Sequence, residues 1–353
     1  MTTAYRERRE EKANHTLVLV LSGGTSTERD VSLQSGQAVL GALQTSIESG
    51  ALDAEVKAVF VDPDGRWSCG DAVLSESEFI KSLPSNAVIF NALHGGRGEG
   101  GGIQRALEEA SVPYTGSGPT ASALCMDKNA ARQELMGAGL ECARGALVTA
   151  LPKAPGELKA LTFRLNALNP EGHGWFVKPN EGGSSAGVRK IDEIKELLPS
   201  IAVVLSGGES ALIEAAVPGV ELSAGVLGNA QDKLLALTPV EIQPQSVGWF
   251  DEAEKYDEEG GALEACPPEN VPTEVLDDLK KSAVLAHRAT GCHGYSRTDF
   301  IYSTDGQLIV LEVNTLPGLT PRSLLPLEAE ADGFSFPELC LTLLTSAEIR
   351  LAQ

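Results

Sequence analysis

The segment from Tyr295 to Leu319 constrains the fold of this chain most strongly. It reads Tyr-Ser-Arg-Thr-Asp-Phe-Ile-Tyr, then a turn, then Leu-Ile-Val-Leu-Glu-Val-Asn-Thr-Leu-Pro-Gly-Leu. Both halves are rich in β-branched, aromatic and aliphatic residues, and Asp305-Gly306 between them is a strong hairpin signal. We therefore predict two antiparallel strands joined by a tight turn.

Alternation of side chains along these strands places four polar residues on one face. A two-residue turn at 305–306 sets Asp299 opposite Glu312 and Arg297 opposite Asn314. A four-residue turn also keeps all four on one face, whereas a three-residue turn does not. Facing carboxylates repel each other unless a cation lies between them. Two carboxylates and an amide oxygen are ligands that suit Mg²⁺, so this face predicts a metal site; the alternative is a solvated hairpin with ordinary charges.

Composition limits the class of protein. A chain of 353 residues is expected to form two or three domains of a soluble α/β protein. Acidic residues number 49 against 28 basic ones, and the net charge of −21 argues against nucleic acid or an anionic membrane as partner. ATP remains compatible with this charge if the basic residues are concentrated near its phosphates.

Cysteines and the chain start indicate a cytoplasmic protein. The six cysteines form no Cys-x-x-Cys pair, which favours reduced thiols over disulfides or a zinc site. Residues 1–14 have mixed charge and no apolar run, so we expect a disordered tail and no secretory signal. No apolar run reaches the roughly 18 residues of a membrane helix.

The N-terminal part predicts a small doubly wound parallel sheet. Apolar runs alternate with a helical pattern, as βαβ units require. The predicted strands are Thr16–Leu21, Val56–Val61, Ala87–Leu93 and a short one over Val112–Gly118, and the predicted helices cover Val31–Leu43, Ile103–Ala110 and Ser122–Gly139. Strands, amphipathic helices and the hairpin then alternate to a closing helix at Phe336–Ser346.

Two glycine-rich loops are candidates for ligand binding. Gly96, Gly98 and Gly101 fit a dinucleotide pattern, but the loop follows the third strand and the next strand supplies no acidic residue. A dinucleotide oxidoreductase is therefore disfavoured. The second loop, 182–187, follows Lys178; its backbone amides can surround phosphate oxygens that the lysine also reaches.

Taken in order, the motifs closely resemble the D-alanine–D-alanine ligases of the ATP-grasp superfamily. The resemblance covers nearly the whole chain from Thr16 to about Thr345. Its motifs include Gly-Gly-Thr-Ser-Thr-Glu-Arg-Asp-Val-Ser, Ala-Leu-His-Gly, Met-Asp-Lys, Val-Lys-Pro, Glu-Lys-Tyr, Arg-Thr-Asp and Glu-Val-Asn-Thr-Leu-Pro-Gly-Leu-Thr.

The resemblance implies a three-domain α/β ATP-grasp fold. Its parts are an N-terminal doubly wound parallel-sheet domain at 15–126, a central α+β lid domain at 127–216 and a C-terminal α+β domain at 217–353, after a tail at 1–14. The implied activity joins two D-alanine molecules through an acyl phosphate for peptidoglycan precursors, in a cytoplasmic enzyme that is usually a homodimer.

The resemblance also implies roles for individual residues. ATP and two Mg²⁺ ions (or Mn²⁺) are the implied cofactors, with Asp299, Glu312 and Asn314 as metal ligands. The implied nucleotide contacts are Lys128, Lys178, Gly182, Gly183, Ser184, Ser185, Glu214, Val217, Glu221 and Lys255. The first D-alanine is expected at Glu28 near His94, the oxyanion at Arg297 and the Gly318 amide, and the second D-alanine at Ser323 and the Leu324 amide. Glu28, Ser184 and Tyr256 are expected to form a hydrogen-bonded triad that closes the 251–261 loop.

The sequence departs from the family pattern in places and leaves alternatives open. Ala215 replaces a lysine, Gly100 replaces an aspartate, and Glu252 and Glu254 flank an atypical loop. Tyr256 favours D-alanine as second substrate over D-lactate or D-serine, which define the alternative ligase. A nucleotide-binding regulatory protein without catalysis is disfavoured because the metal and oxyanion residues are complete.

Overall fold

The computed structural model describes residues 16–182, 187–229, 233–243 and 263–347. The predicted tail and the 251–261 loop, with Glu252 and Glu254, lie outside these ranges. The described chain forms three sheets, which occur one after another along the sequence.

The first sheet has five strands in the order β4-β3-β2-β1-β5. Its strands are β1 (Thr16–Gly23), β2 (Ala54–Val61), β3 (Arg66–Cys69), β4 (Ala72–Ser75) and β5 (Ala87–Asn91). Strand β1 pairs in parallel with both β2 and β5. This central position explains its continuous apolar run, because both of its faces are covered.

Two features of this sheet differ from prediction. The antiparallel pair β3–β4 extends the edge beyond β2, and its short strands gave too little pattern to be predicted. The strand predicted over Val112–Gly118 is reduced to a single bridge between Ile89 and Tyr114. The helices around this sheet are α1 (Arg29–Glu48), α2 (Glu76–Ser82), α3 (Gly96–Glu99) and α4 (Gly102–Glu109).

A helix break at Asp127 positions a candidate phosphate ligand. The single helix predicted over Ser122–Gly139 is wrong, since the chain forms α5 (Pro119–Met126) and α6 (Lys128–Gly137). The Asp127 side chain caps α6 by accepting a hydrogen bond of 2.9 Å from the Ala130 amide. Lys128 is therefore the first residue of the new helix.

The second sheet has four strands in the order β6-β9-β7-β8. They are β6 (Gly145–Val148), β7 (Trp175–Pro179), β8 (Arg189–Ile191) and β9 (Ala211–Ala215), and the helices are α7 (Pro155–Asn166) and α8 (Ile194–Ser206). Trp175, Leu197 and Ile201 are among the buried residues of its separate core.

The third sheet has the order β13-β12-β10-β14-β15, with β11 attached to β10. Its strands are β10 (Gly219–Asn229), β11 (Leu235–Ala236), β12 (Val240–Gln243), β13 (Leu263–Ala265), β14 (His293–Ser303) and β15 (Leu308–Asn314). The remaining helices are α9 (Thr273–Ala289), α10 (Leu324–Ala331) and α11 (Phe336–Thr345). Helix α9 covers one face through a core that includes Leu222, Phe300 and Leu279. Asp299 is next to Phe300 in β14, so it and Arg297 lie on the other face.

The first and third sheets share one core. Val18 and Phe90 of the first sheet pack in the same cluster as Leu316, Leu325 and Leu339. The three sheets fall within the three predicted domains, whose exact limits remain a prediction. Among the described helices, none has the length and apolar character needed to cross a membrane.

Gly23, at the end of β1, offers a test of this packing. Its φ is +93°, and a Cβ there would lie 2.3 Å from the Val61 carbonyl oxygen. Gly23→Ala is expected to lower the free energy of unfolding by about 3 kcal/mol, because strain and overlap act together. Urea denaturation measures this change.

The matched control is Gly41→Ala within α1, where a Cβ would meet no atom within 4 Å. Alanine favours a helix interior, so this variant should gain about 0.5–1 kcal/mol. Equal stability of the two variants would contradict the close approach of β1 and β2 at Gly23.

Candidate active site

The hairpin of β14 and β15 places the predicted metal ligands opposite each other. Asp299 pairs with Glu312, and Arg297 pairs with Asn314. The predicted two-residue turn is nevertheless wrong. The loop has three residues, 304–306, since Tyr302 pairs with Leu308 and the Ser303 amide donates to the Gln307 carbonyl oxygen at 2.8 Å.

A bulge corrects the register that this longer turn would otherwise shift. Phe300 pairs with Val310 while Asp299 pairs with Glu312, so Leu311 is an extra residue in β15. The turn is one residue longer than predicted, and the bulge adds one residue to β15, so their effects on the pairing of Asp299 with Glu312 cancel. All four polar side chains therefore share one face despite the three-residue loop.

Asp299 lies at the centre of this face and is held by two neighbours. Arg297 donates to it through Nε at 2.9 Å and Nη2 at 2.8 Å, and Asn314 donates through Nδ2 at 3.1 Å. Burial by itself would lower the pKa of Arg297, but the charge and hydrogen bonds of Asp299 outweigh it and raise that pKa. Arg297 is thus a fixed cation.

Two lysines face the same edge from the other side of the cleft. The Lys128 Nζ lies 3.5 Å from a Glu312 oxygen and donates to the Gly182 carbonyl oxygen at 2.5 Å. The Lys178 Nζ lies 2.6 Å from a Glu214 oxygen. Burial opposes the charge of Lys178, yet Glu214 and Glu312 outweigh it and raise the pKa of this lysine.

Asn180 fixes Lys128 relative to the second sheet. Its Nδ2 donates to Asp127 at 2.9 Å, and its Oδ1 accepts from the Asn129 amide at 3.0 Å. The Lys128 amide donates to the Asn180 carbonyl oxygen at 3.0 Å. The start of α6 and the loop after β7 therefore form one unit that carries both lysines.

His94 connects the first sheet to the chain that leaves β15. Its Nδ1 lies 3.0 Å from the Leu316 carbonyl oxygen and its Nε2 lies 3.0 Å from the Ser35 hydroxyl. A carbonyl oxygen can only accept, so Nδ1 carries the proton and Ser35 donates to Nε2. Ser35 also accepts from the Leu319 amide at 3.3 Å, which ties both ends of the 316–319 segment to the first sheet.

Two carboxylates lie near this histidine. Glu28 is the residue before α1. If Gly95 carried a Cβ, that atom would lie 2.5 Å from a Glu28 oxygen, so the Glu28 carboxylate lies against the Gly95 backbone. Glu99 accepts from the Gly95 amide at 3.0 Å. Burial, and then repulsion by Glu28, raise the pKa of Glu99 to about 7.

Ser323 lies at the other end of the site, just before α10. The Thr320 amide donates to its hydroxyl oxygen at 3.2 Å, and a Cβ at Gly318 would lie 2.8 Å from that oxygen. The hydroxyl does not cap the helix. Gly318, Ser323 and the first amides of α10 thus come together, as an anion-binding group requires.

Comparison with known proteins identifies the family. The family model described as "D-ala D-ala ligase N-terminus" matches residues 17–117, and "D-ala D-ala ligase C-terminus" matches residues 160–345. A D-alanine--D-alanine ligase of Gluconobacter oxydans is 41% identical over 327 residues, which cover 92% of this chain and 96% of that protein. One of Nitratidesulfovibrio vulgaris is 37% identical, covering 93% of this chain and 96% of that protein. The chain belongs to the D-alanine–D-alanine ligase family.

Solved structures agree with this family assignment. The VanG D-Ala:D-Ser ligase from Enterococcus faecalis aligns with a TM-score of 0.77 and 27% identity, covering 94% of this chain and 99% of that one. D-alanyl-alanine synthetase A from Vibrio cholerae aligns with a TM-score of 0.78 and 24% identity, covering 94% of this chain and 98% of that one, and shows the fold alone. The predicted family and its ATP-grasp fold are confirmed.

The structure brings together most residues that the family resemblance suggested. The described ones lie along one cleft, from Glu28 and His94 through the hairpin to Ser323 and Leu324. Glu214 ends β9, Glu221 lies opposite Ile301 in β10, and Val217 lies in the connection between those strands. Gly183, Ser184, Ser185, Lys255 and Tyr256 lie outside the described residues. The roles of all these residues remain predictions.

Several residues of this ligase-family site were missed by sequence reasoning. Ser35 had a signal, because it is a small polar residue on the buried side of α1. Asn180 directly follows the Val-Lys-Pro motif, and Glu99 stands alone among glycines.

His94 yields a prediction about pH. Burial lowers its pKa from 6.5 to about 4, and Arg297 adds to the effect while the Leu316 carbonyl opposes it. The folded protein therefore binds fewer protons here than the unfolded chain between about pH 4 and 6.5, so this group's contribution to stability decreases as pH falls through that window. Imidazole NMR should show His94 neutral at pH 5.5.

The spectrum of His94→Gln assigns the resonance by its absence. A midpoint near 6.5 for that resonance would contradict the tautomer and the two hydrogen bonds described above. It would also make His94 a cation available to a substrate carboxylate, which the buried geometry does not favour.

Proposed function

We propose that this protein joins two molecules of D-alanine to D-alanyl-D-alanine, with conversion of ATP to ADP and phosphate. The pairing of Asp299 with Glu312 beside Arg297 and Asn314 carries this proposal. This pairing would put a divalent-cation site and an oxyanion-stabilising cation on the same face of the hairpin. The curated relatives that match over most of the chain are named D-alanine--D-alanine ligases, which supports the same reaction.

The nucleotide would lie between the second and third sheets. Lys128 and Lys178 would bind its phosphates, with Gly182 and the following Gly183, Ser184 and Ser185 covering them. Lys255 would add a further phosphate contact. Glu214, Val217 and Glu221 would surround the adenine and ribose. Glu214 would keep the ammonium of Lys178 in place before ATP binds. Phosphate oxygens of the bound ATP would then compete with Glu214 for this ammonium.

The donor set at the hairpin fits a divalent metal ion. Asp299 and Glu312 oppose each other on one face, and Asn314 adds an amide oxygen. Among the described residues no group of three His, Cys, Asp or Glu side chains converges, so phosphate oxygens would complete the shell. We propose two Mg²⁺ ions, which would neutralise charge on the transferring phosphoryl group.

The first D-alanine would bind at the start of α1 and below the loop after β5. Glu28 would hold its amine, and its carboxylate would attack the γ-phosphate to form an acyl phosphate. His94 would keep the 316–319 segment, and with it the Gly318 amide, in position. Enclosure of the acyl phosphate would protect it from water.

The second D-alanine would bind at α10. Ser323 and the Leu324 amide would hold its carboxylate, and its amine would attack the acyl phosphate carbon. Arg297 and the Gly318 amide would stabilise the negative oxygen that forms, and phosphate would leave. Tyr256, with Glu28 and Ser184, would complete a triad on the closing loop.

The choice of second substrate rests on the relatives. A D-Ala:D-Ser ligase shares the fold with a TM-score of 0.77, so the fold does not separate D-alanine from D-serine. The relatives of higher identity carry the D-alanine--D-alanine name, and we propose D-alanine accordingly. We further propose a cytoplasmic location, because ATP and the precursor pathway are cytoplasmic. We also propose a homodimer, as the family resemblance implies.

A product assay tests the proposal directly. Purified protein with ATP, MgCl₂ and D-alanine alone should release phosphate and form the dipeptide, identified by mass spectrometry. Parallel reactions with D-lactate or D-serine added should yield the mixed products at a smaller rate. Absence of phosphate release with D-alanine would refute the proposed function, and dominant mixed products would favour the alternative ligase.

Glu312→Gln tests the metal role. It keeps the shape of the side chain and removes its charge, so turnover should fall about 100-fold or more. The thermal midpoint should change by no more than a few degrees. Glu274→Gln on α9, which packs on the opposite face, is the control and should retain full turnover. Near-normal turnover of Glu312→Gln would contradict its role as a ligand.

A further inference from the structure

Glu328 is a buried acid that the proposed reaction does not use. It lies in α10, whose first residue is Leu324, and its side chain has no exposed surface. It is four positions after Leu324, so it lies about one helical turn further along. The helix that would hold the second substrate at its start therefore carries a carboxylate into the protein interior.

This carboxylate lies on the same face of the third sheet as the candidate active site. One Glu328 oxygen would be 2.3 Å from a Cβ at Gly225, so the group lies directly over that glycine. Gly225 pairs with Arg297 in the neighbouring strand, and Ser223 pairs with Asp299. Directly paired residues share a face, which brings Glu328 beside Arg297 and Asp299.

Glu328 has few and poorly aligned polar partners for a buried carboxylate. Among the described residues, neither of its oxygens nor the Ser223 hydroxyl makes a hydrogen bond of good geometry. Burial raises the pKa of Glu328 to about 8, and the positive charge of Arg297, the nearby Ser223 hydroxyl and the Gly225 backbone oppose this rise. Burying an acid with such weak partners is costly, which favours a further partner for it.

We propose that Glu328 is a positioning residue that holds Arg297 toward the reacting carbonyl once a divalent cation engages Asp299. This inference rests on the proposed function. In the structure Asp299 gives both oxygens to Arg297, at 2.9 and 2.8 Å. A metal ion on Asp299 would occupy one of its lone pairs and draw off negative charge, which weakens its hold on the guanidinium. A second carboxylate beside Arg297 would then keep the guanidinium in place.

Glu328 is the buried acid that remains for this purpose. Asp299 raises the pKa of Arg297 most, followed by Glu328 and Glu312. Glu264 on β13 also interacts with Arg297, but it is exposed. Asp299 and Glu312 are both proposed metal ligands, which leaves Glu328 as the buried acid not assigned to the metal. Glu328 lies in α10, and Ser323, proposed to bind the second substrate, lies directly before that helix. A contact between Glu328 and Arg297 would therefore also set the distance from the second substrate to the cation that stabilises the oxyanion.

Glu328→Gln tests the role in catalysis. The variant keeps size and removes the charge, so kcat should fall about tenfold while KM for ATP stays unchanged. The urea midpoint of the unliganded protein should stay level or rise, because a buried acid is relieved. Glu328→Asp should recover part of the loss. Glu330→Gln, an exposed acid on the same helix, is the control and should match wild type.

A double-mutant cycle provides a readout other than activity. Urea midpoints of Arg297→Lys, Glu328→Gln and the double variant are compared in EDTA and in ADP with MgCl₂. The two changes should be more strongly non-additive with MgCl₂ than in EDTA, because the contact forms when Asp299 is engaged. Additive midpoints in both buffers would overturn the proposal.

The remaining outcomes separate the two hypotheses. Normal kcat of Glu328→Gln, or a loss of kcat accompanied by a large fall in urea midpoint and in ATP affinity, would overturn the positioning role. If wild-type protein forms no dipeptide, the proposed function fails, and the cycle still tests the contact by itself.

Discussion

The site depends on the ion pair in which Arg297 donates two hydrogen bonds to Asp299. Without that cation, Asp299 and Glu312 would face each other on a half-buried sheet edge, which repulsion and desolvation both oppose. The arginine allows the edge to fold with its carboxylates in register before a metal ion arrives. It also keeps a permanently charged group where negative charge would develop in the proposed reaction, so one contact would serve both the folded state and that chemistry.

The site is assembled from parts that are distant in the sequence. His94 and Ser35 bind the 316–319 segment across 222 and 284 residues, and Asn180 binds the start of α6 across about fifty. Each link uses buried polar groups whose hydrogen bonds are geometrically demanding. The proposed oxyanion and phosphate groups are therefore fixed by side chains that would not touch the substrates themselves.

Sequence reasoning predicted which side chains lie opposite each other at this edge, but not the turn and bulge that place them there. The alternation of side chains correctly put Asp299 and Glu312 on one face, but the three-residue turn was not predicted. A bulge at Leu311 keeps the two side chains on that face, and no local sequence pattern predicts this bulge. The break at Asp127 was missed because helical periodicity continues across it. Glu328 was beyond prediction for another reason: its carboxylate lies over Gly225 of β10, about a hundred residues earlier, and this contact forms only in the folded chain.

Charge balance explains why this cleft suits a metal-dependent reaction. The described acids in this region include Glu28, Glu99, Glu214, Glu221, Asp299 and Glu312, with Glu328 buried beside Arg297. They outnumber Lys128, Lys178 and Arg297. Burial, with repulsion from neighbouring acids, raises the pKa of Glu99 to about 7 and that of Glu328 to about 8, which already limits the negative charge. ATP would add several more negative charges to a chain whose net charge is −21. Divalent cations held by Asp299 and Glu312 would supply the missing positive charge at the point where the phosphates and the carboxylates meet.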